Sequence, residues 1–393
     1  MIKYFVCQNH SNKFTKIKSE YRKSKTLMKR LHIVFLFILI SVINTSLVSA
    51  QEIILKDSIE SILRDLQEKS KVRSLIATVR KGDEEIITIA FGESMTSVPA
   101  DASMHLRAGG ISETFFGTLL MILSDKGLID INEKISRWLP DLLSSDKVTP
   151  AMLIKNTAGY KDYVYDKDFI DLVVREPFRN FSKDEIISYS VKDGIMNFPP
   201  GTDQKYSHTE FTILGEVLEK ATGKTLAELY EEYIFTKLDL KHTGYSFNTD
   251  LPYPVLHAYS SDRGIYEDAT FWNPSWTRES GTIYSNIYDL AKWARVFGTG
   301  SLITPESFKQ LVSPPDINVV KEKYFASGFG VMNGWYIQNP SFNGYSGAFG
   351  YLPSKEITVI IFTTQSEDPM SDAQAFQILK EFTKILTPEN VLD

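Results

Sequence analysis

The residues of this chain best placed for chemistry lie at the start of a long apolar helix, in Leu106-Arg107-Ala108-Gly109-Gly110-Ile111-Ser112-Glu113-Thr114-Phe115. A hydroxyl at the start of a helix and an amine one turn later share one face, so the amine can take the hydroxyl proton. Gly110 stands at the predicted start of this helix and Glu113 one turn later, and they supply neither group. Ser112 lies about 200° around the helix from Gly110. We expect it to cap the helix rather than to react.

Other combinations of reactive side chains are less specific. Ser144 and Lys147 have the same three-residue spacing, but they fall in a polar loop, where we expect a surface turn. His105, His242 and His257 are scattered along the chain, and no His-x-x-x-His pair exists. The sequence therefore predicts no metal site. It also lacks a glycine-rich phosphate loop, and we expect no cofactor.

The beginning of the chain has the pattern of a signal peptide. Lys29-Arg30 precedes an apolar run from Leu31 to Ile43, and Val48-Ser49-Ala50 resembles a cleavage site. This pattern predicts a signal peptide over about residues 28–50, with Met28 as a possible true start. The alternative is an uncleaved anchor, but the apolar run is shorter than the roughly 20 residues that span a bilayer. Either way we expect export, to the periplasm or beyond the cell.

Composition and charge exclude several classes of partner. The 393 residues are 43% hydrophobic and 23% charged, which is typical of a globular protein. Residues 51–393 keep 34 Lys and Arg against 48 Asp and Glu, a net charge of −14. We therefore expect no nucleic-acid partner, and membrane contact only through an uncleaved N-terminal segment. Cys7 is the only cysteine, so cleavage leaves no disulfide and no thiolate.

The hydrophobic pattern predicts strands at both ends of the chain and helices between them. Alternating runs over 75–80 and 85–91 flank a hairpin signal at Lys81-Gly82-Asp83, and strands are predicted over 327–337 and 357–364. Helices are predicted over 111–126, 211–222, 226–238, 288–297 and 373–385. Trp272, Trp276 and Tyr284 could line a cleft, but we expect them to pack in the core.

This order of elements predicts an α+β fold. Its antiparallel sheet is built from both termini, is flanked by helices and carries a mostly helical insertion. We assign residues 1–50 to an N-terminal extension and 51–393 to one domain. Its two subdomains are residues 51–110 with 285–393, which carry the sheet, and residues 111–284, which are mainly helical.

Several segments, in this order, resemble the serine β-lactamase and D-alanyl-D-alanine carboxypeptidase superfamily, which includes the penicillin-binding proteins. They are Gly127-Leu128-Ile129-Asp130-Ile131, Ile154-Lys155-Asn156-Thr157-Ala158-Gly159-Tyr160, and Pro199-Pro200-Gly201-Thr202 leading into Tyr206-Ser207. The similarity covers roughly residues 55–385 and is nearest to the class C and esterase-like branch. It implies a β-lactamase/transpeptidase-like fold.

The three catalytic motifs of that superfamily are degenerate here. Its Ser-x-x-Lys resembles the segment in which Gly110 and Glu113 stand, and its Tyr-x-Asn resembles Tyr206-Ser207-His208. Tyr206 keeps the phenol, and His208 replaces the amide. The alternative for Tyr206 is a packed aromatic with its hydroxyl bonded.

The third motif, Lys-Thr-Gly or His-x-Gly in the superfamily, is assigned to Tyr345-Ser346-Gly347. The resemblance implies that Ser346 could hold a ligand carboxylate and that Gly347 permits close backbone approach. It also implies that the N–H groups of Gly110 and Ala348 form the oxyanion hole.

Glu113 and His208 stand where the superfamily pairs a lysine with an asparagine. In the superfamily the lysine donates a hydrogen bond to the asparagine. Here Glu113 can only accept and His208 can donate, so the hydrogen bond could persist with its direction reversed. We therefore expect a Glu113–His208 hydrogen bond, which would raise the pKa of His208.

Three functions are consistent with this sequence. The first is an inactive relative whose cleft, lined by Gly110, Glu113, Tyr206, His208, Ser346, Gly347 and Ala348, binds a cell-wall peptide, a small acyl ligand or an envelope protein. The second is an active carboxypeptidase, esterase or β-lactamase-like hydrolase with a non-standard catalytic set, in which His208 or Glu113 activates water or Ser346 is the nucleophile. The third is a structural envelope protein. Loss of both nucleophile and base favours the first.

Overall fold

The computed structural model describes residues 56–392 apart from 319 and 321. The predicted signal peptide and the possible start at Met28 lie outside the described residues. Contacts divide the chain into two units, residues 1–59 and 60–393. Residues 56–59 of the first unit are helical, and the second unit begins with helical residues 60–69 (α1).

The strands of this unit are β1 (Ser74–Lys81), β2 (Glu84–Met95), β3 (Val98–Pro99), β4 (Leu106–Arg107), β5 (Gly244–Tyr245), β6 (Tyr259–Ser260), β7 (Glu267–Asp268), β8 (Ile283–Ser285), β9 (Lys323–Phe325), β10 (Gly330–Met332), β11 (Trp335–Gln338), β12 (Ser341–Phe342), β13 (Tyr345–Leu352) and β14 (Ile357–Thr364). The helices are α2 (Ile111–Asp125), α3 (Pro150–Ile154), α4 (Lys167–Arg175), α5 (Lys183–Val191), α6 (His208–Thr222), α7 (Leu226–Tyr230), α8 (Thr236–Leu238), α9 (Ile287–Thr299), α10 (Pro305–Val312) and α11 (Gln374–Leu386).

The main sheet is antiparallel and joins the two ends of the chain. Its order is β3-β2-β1-β14-β13-β11-β10-β9, and β12 pairs with β13. Strand β1 pairs with β14 from Ser74 opposite Thr364 to Lys81 opposite Ile357. The predicted sheet from both termini is therefore confirmed, as is the α+β, β-lactamase/transpeptidase-like fold class. The predicted strand over 327–337 is instead two strands, β10 and β11, joined by a turn at Asn333-Gly334, where both residues have positive φ.

Helix α2 lies in the core and carries the start of the predicted site. Its residues from Ile111 to Leu123 are all buried. Phe115 stacks on Trp293 of α9 with ring centroids 3.8 Å apart, and the Trp293 indole donates to Thr114 Oγ1 at 2.8 Å. Each large apolar side chain buried in this way contributes about 1.5–3 kcal/mol. The packing fixes the helix and therefore the position of Gly110 at its N-terminus.

Among the residues that the structure describes, no helix combines the length and the apolar character needed to cross a membrane.

Candidate functional site

Two glycines lead into helix α2 for different reasons. Gly109 has φ +53°, and a Cβ there would lie 2.5 Å from Pro340 Cβ, so the backbone conformation and the close approach both require glycine. Gly110 is the N-cap, with φ −56° and ψ −14°, a conformation open to any residue. The reason for glycine at 110 must therefore be space, not backbone strain.

The space beside Gly110 is filled by Gln338, the last residue of β11. A Cβ at 110 would lie 2.8 Å from Gln338 Oε1, inside van der Waals contact. The Gln338 carboxamide is held in place because its Nε2 donates to Glu113 Oε2 and to the Gly328 carbonyl, each at 2.8 Å. Gln338 thus occupies the volume that a side chain at position 110 would use.

Glu113 lies beneath this carboxamide and is almost fully buried, at 1% exposure. One oxygen accepts from Gln338 and the other from the Tyr206 hydroxyl. Burial raises the pKa of Glu113 to about 8, although the Tyr206 hydrogen bond, the nearby His208 and the Gln338 hydrogen bond oppose the rise. The Glu113 carboxyl is therefore a buried acid that is ionised only at a cost.

His208, the first residue of α6, pairs with Asp162 rather than with Glu113. Its Nδ1 lies 2.9 Å from Asp162 Oδ2. Asp162 precedes the short 3₁₀ turn Tyr163–Tyr165 and accepts from the Val164 amide through its other oxygen at 3.2 Å. Burial alone would lower the pKa of His208, but the charge and hydrogen bond of Asp162 raise it above its ordinary value.

The expected Glu113–His208 hydrogen bond is therefore corrected. The Tyr206 ring stands edge-on to His208, with centroids 4.9 Å apart, and its hydroxyl reaches Glu113. Glu113 therefore accepts a hydrogen bond from the Tyr206 phenol and not from the His208 imidazole. The alternative for Tyr206, a packed aromatic with a bonded hydroxyl, fits these contacts, and its bonding partner is the site carboxyl.

Ser112 behaves only partly as expected. It points away from Gly110 into the core, where its Oγ accepts from the Ile283 amide at 3.2 Å. It does not cap α2, because the N-cap is Gly110, which makes no side-chain capping bond. The hydroxyl instead joins the helix to strand β8.

The third motif is placed differently by the structure. Tyr345 donates its hydroxyl to the Leu256 carbonyl, Ser346 Oγ accepts from the Ala375 amide at 3.1 Å, and the Gly347 amide donates to Pro340 O at 2.7 Å. Ala348 pairs with Ile361 inside the sheet.

None of these four residues lines the cavity at Gly110. The physical reason is strand order: β13 lies inside the sheet between β14 and β11, whereas β11 ends beside Gly110. Gln338, rather than Tyr345, holds the position facing the helix start.

One cavity of about 340 Å³ brings the remaining site residues together. Besides Gly110, Glu113, Tyr206 and His208, its lining contains Gly109, Trp276, Thr277, Ser280, Gly281, Phe325, Gln338, Asn339, Pro340, Ser341 and Phe342. Trp276, which we expected in the core, forms part of this wall. Such a volume suits a small ligand.

Two hydroxyls of the cavity wall are held by backbone carbonyls. Thr277 Oγ1 donates to Pro274 O at 2.8 Å, and Ser280 Oγ donates to Thr277 O at 2.6 Å. The lining also includes a third aliphatic hydroxyl, that of the exposed Ser341. Within the described ranges, no group of three or more His, Cys, Asp or Glu side chains could hold a metal ion. The cavity offers hydrogen-bond donors and acceptors, one buried acid, one imidazole and aromatic surface.

Comparison with known proteins agrees with this architecture. The chain is 22% identical over 304 residues to penicillin-binding protein 4* of Bacillus subtilis, covering 72% of this chain and 63% of that protein. The chain thus spans a little under two thirds of the length of this curated relative.

Two solved structures are similar in fold. A D-stereospecific amidohydrolase from Streptomyces superposes with TM-score 0.74 at 21% identity, covering 81% of this chain and 97% of that one. The D-amino acid amidase of Ochrobactrum anthropi gives TM-score 0.72 at 18% identity, covering 84% and 97%. The Beta-lactamase family model matches residues 59–383, so the chain belongs to the Beta-lactamase family.

Proposed function

We propose that this protein is a binding member of its family that forms no acyl-enzyme. The observation that carries the proposal is the Gln338 carboxamide, which fills the volume beside Gly110 where a nucleophile would stand. Acyl transfer needs a hydroxyl and a base within hydrogen-bond reach of each other. Here the first position has no side chain, and the second holds an acid.

The hydrogen bonds of the site support a stable arrangement of new polar contacts rather than a simple loss of the catalytic residues. Gln338 contacts Gly110, Glu113 and Gly328, and Glu113 also accepts from Tyr206. Both Glu113 oxygens and the Gln338 amide nitrogen therefore have hydrogen-bond partners, as buried polar groups of a stable site would need. The open cavity of about 340 Å³ favours ligand binding over a purely structural role.

For the ligand we propose a short peptide or amide with a D-residue, of the kind found in peptidoglycan, or a protein partner that presents one. The support is the fold shared with penicillin-binding proteins and with two enzymes, one named a D-stereospecific amidohydrolase and the other a D-amino acid amidase. We place the protein outside the cytoplasm because residues 28–50 have the pattern of a signal peptide.

The test combines acylation with binding. The protein is incubated with a fluorescent penicillin and a chromogenic cephalosporin, and its intact mass and the cephalosporin turnover are followed. We expect no added mass and no turnover. D-alanyl-D-alanine peptides are then titrated calorimetrically against their L,L counterparts, and we expect saturable, D-selective binding without hydrolysis. An acyl adduct, or no binding of either peptide, would contradict the proposal.

A second candidate, hydrolysis by an activated water, is favoured by the Asp162–His208 pair. With Nδ1 held by Asp162 at 2.9 Å, Nε2 is the ring nitrogen available to a water in the cavity. A base oriented in this way can remove a proton from water. If this route operates, D-amino acid amides turn over without an acyl-enzyme, and both His208→Ala and Asp162→Asn abolish the turnover.

A further inference from the structure

Glu113 is a buried acid without a cation. Buried carboxylates in proteins are paired with a positive group or else stay protonated. The hydrogen-bond partners of Glu113, Tyr206 and Gln338, are neutral, and no Lys or Arg of the described chain forms an ion pair with it. The nearby titratable groups are the Tyr206 phenol, the His208 imidazole and the Asp162 carboxyl. His208 is already paired with Asp162, so it compensates the charge of Glu113 only in part.

The walls above Glu113 are aromatic. Trp276 stacks on Phe342 with ring centroids 5.6 Å apart, and the Tyr206 ring stands edge-on to Phe325 at 5.7 Å. All four rings line the cavity, and its lining contains no Lys or Arg. Aromatic faces attract cations, most strongly when water is excluded. The cavity therefore combines aromatic surface with one acid and no competing cationic side chain apart from the Asp162-paired His208.

We propose that this cavity binds an organic ammonium ion, with the charged nitrogen beside Glu113 and its apolar group among Trp276, Phe325 and Phe342. This inference rests on the proposed function, since it takes the cavity to be the binding site, and it specifies the chemical class of the ligand. In a peptide or amide ligand, the ammonium is a free amino group.

An anionic ligand is a poorer match to the same residues. A carboxylate near Glu113 would keep Glu113 protonated and would gain no ion pair from it, whereas a cation gains one when Glu113 ionises. The His208 imidazole is the one positive group available, and the Asp162 carboxylate at 2.9 Å already neutralises it. A cation is attracted both by Glu113 and by the rings.

Binding of a cation is coupled to a proton. Burial raises the pKa of Glu113 to about 8, so near neutrality the empty protein holds a proton there that the incoming cation displaces. The affinity for a permanent cation should therefore rise about tenfold per pH unit from pH 6 to near 8 and then level off. Close to one proton should be released per cation bound at pH 7.

The probe is benzyltrimethylammonium, whose charge does not titrate. Its neutral counterpart of similar shape is 2,2-dimethyl-3-phenylpropanol, and benzenesulfonate is the anion. Each is titrated by calorimetry from pH 6 to 8.5, in buffers of different ionisation enthalpy, so that proton release is measured on the unaltered protein. We expect the cation to bind at least tenfold more tightly than the alcohol at pH 8, with the pH slope confined to the cation.

Two substitutions locate the effect. Glu113→Gln should weaken cation binding at pH 8 at least tenfold and remove the pH slope, whereas Glu306→Gln, an exposed carboxylate on α10, should change neither. Circular dichroism melts check that both variants fold. If Glu113→Gln does not fold, the release of a proton by the unaltered protein on cation binding still tests whether Glu113 receives the cation.

The inference is overturned if the alcohol or the sulfonate binds as tightly as the cation, if the slope persists in Glu113→Gln, or if the cation shows no saturable binding or releases no proton. Binding of D-alanyl peptides alongside any of these results would leave the proposed function standing. An acyl adduct with penicillin would instead remove the proposed function.

Discussion

Adding one methyl group at position 110 tests the packing that underlies this account. In Gly110→Ala, the new Cβ lies 2.8 Å from Gln338 Oε1, so the carboxamide must move. Moving it strains two hydrogen bonds of 2.8 Å, to Glu113 and to the Gly328 carbonyl. Alanine rather than serine is the right probe because it isolates the effect of volume from that of a new hydroxyl.

Two opposing effects set the magnitude. Overpacking a tight site costs about 1–3 kcal/mol. Replacing glycine by alanine where the backbone permits it, as at φ −56°, stabilises by about 0.4–1 kcal/mol through the unfolded chain. Gly110→Ala should therefore lower the free energy of unfolding by between about 0 and about 2.6 kcal/mol. In a Gln338→Ala background the obstacle is gone, and the same change should be neutral or stabilising.

The coupling between the two changes is measured by urea unfolding of four proteins: the unaltered protein, Gly110→Ala, Gln338→Ala and the double variant. We expect a coupling of about 1–3 kcal/mol, with the double variant more stable than the sum of the single changes predicts. The control pairs Gly110→Ala with Lys309→Ala on the exposed side of α10, where the effects should add. Additivity of Gly110→Ala with Gln338→Ala would refute the claim that the carboxamide occupies this volume.

Three further outcomes follow from the hydrogen bonds of the site. Burial raises the pKa of Glu113 from its ordinary 4.5 to about 8, so the folded protein loses stability as the pH rises between these values. The melting temperature of Glu113→Gln should therefore increase relative to that of the unaltered protein from pH 5 to 8. A difference in melting temperature that stays constant over this range would contradict the argument. Tyr206→Phe removes a donor to Glu113 and should cost about 1–3 kcal/mol in urea, more at pH 8.5 than at pH 6, and an equal cost at both would argue against the bond. Asp162→Asn should lower the pKa of His208, and an unchanged imidazole titration by NMR would show that Asp162 does not control it.

Much of the fold was predictable from the sequence because it rests on local pattern. The predicted strand over 357–364 is β14 residue for residue, and the predicted helix over 111–126 is α2 with one residue fewer. Of the two helix starts of the site, that of α2 was predicted at Ile111, whereas that of α6 was predicted at residue 211, three residues after its true start at His208. The turn after Ala108 places Gly110 and Glu113, and Ser207 leads into α6 with His208. The structure brings these residues and Tyr206 to one cavity.

The remainder of the site depends on contacts between strands, which a single sequence does not show. Tyr345-Ser346-Gly347 was assigned to the third motif, but the eight residues from Tyr345 to Leu352 are all buried in a central strand that pairs with β14 along its whole length. The available signal for Gln338 was the short strand Trp335–Gln338 ending just before Pro340, since proline marks strand ends and edges. The sequence places both Tyr206 and His208 near Glu113, but only the packed structure shows that the Tyr206 hydroxyl is the group that donates to Glu113.

The central claim, that no side chain of the pocket beside Gly110 forms an acyl-enzyme, is tested most directly by intact-protein mass spectrometry after prolonged exposure to excess penicillin. Our account predicts a spectrum identical to that of the untreated protein. A stoichiometric increase equal to the mass of one β-lactam, mapped by peptide digestion to any side chain lining the cavity, would contradict it.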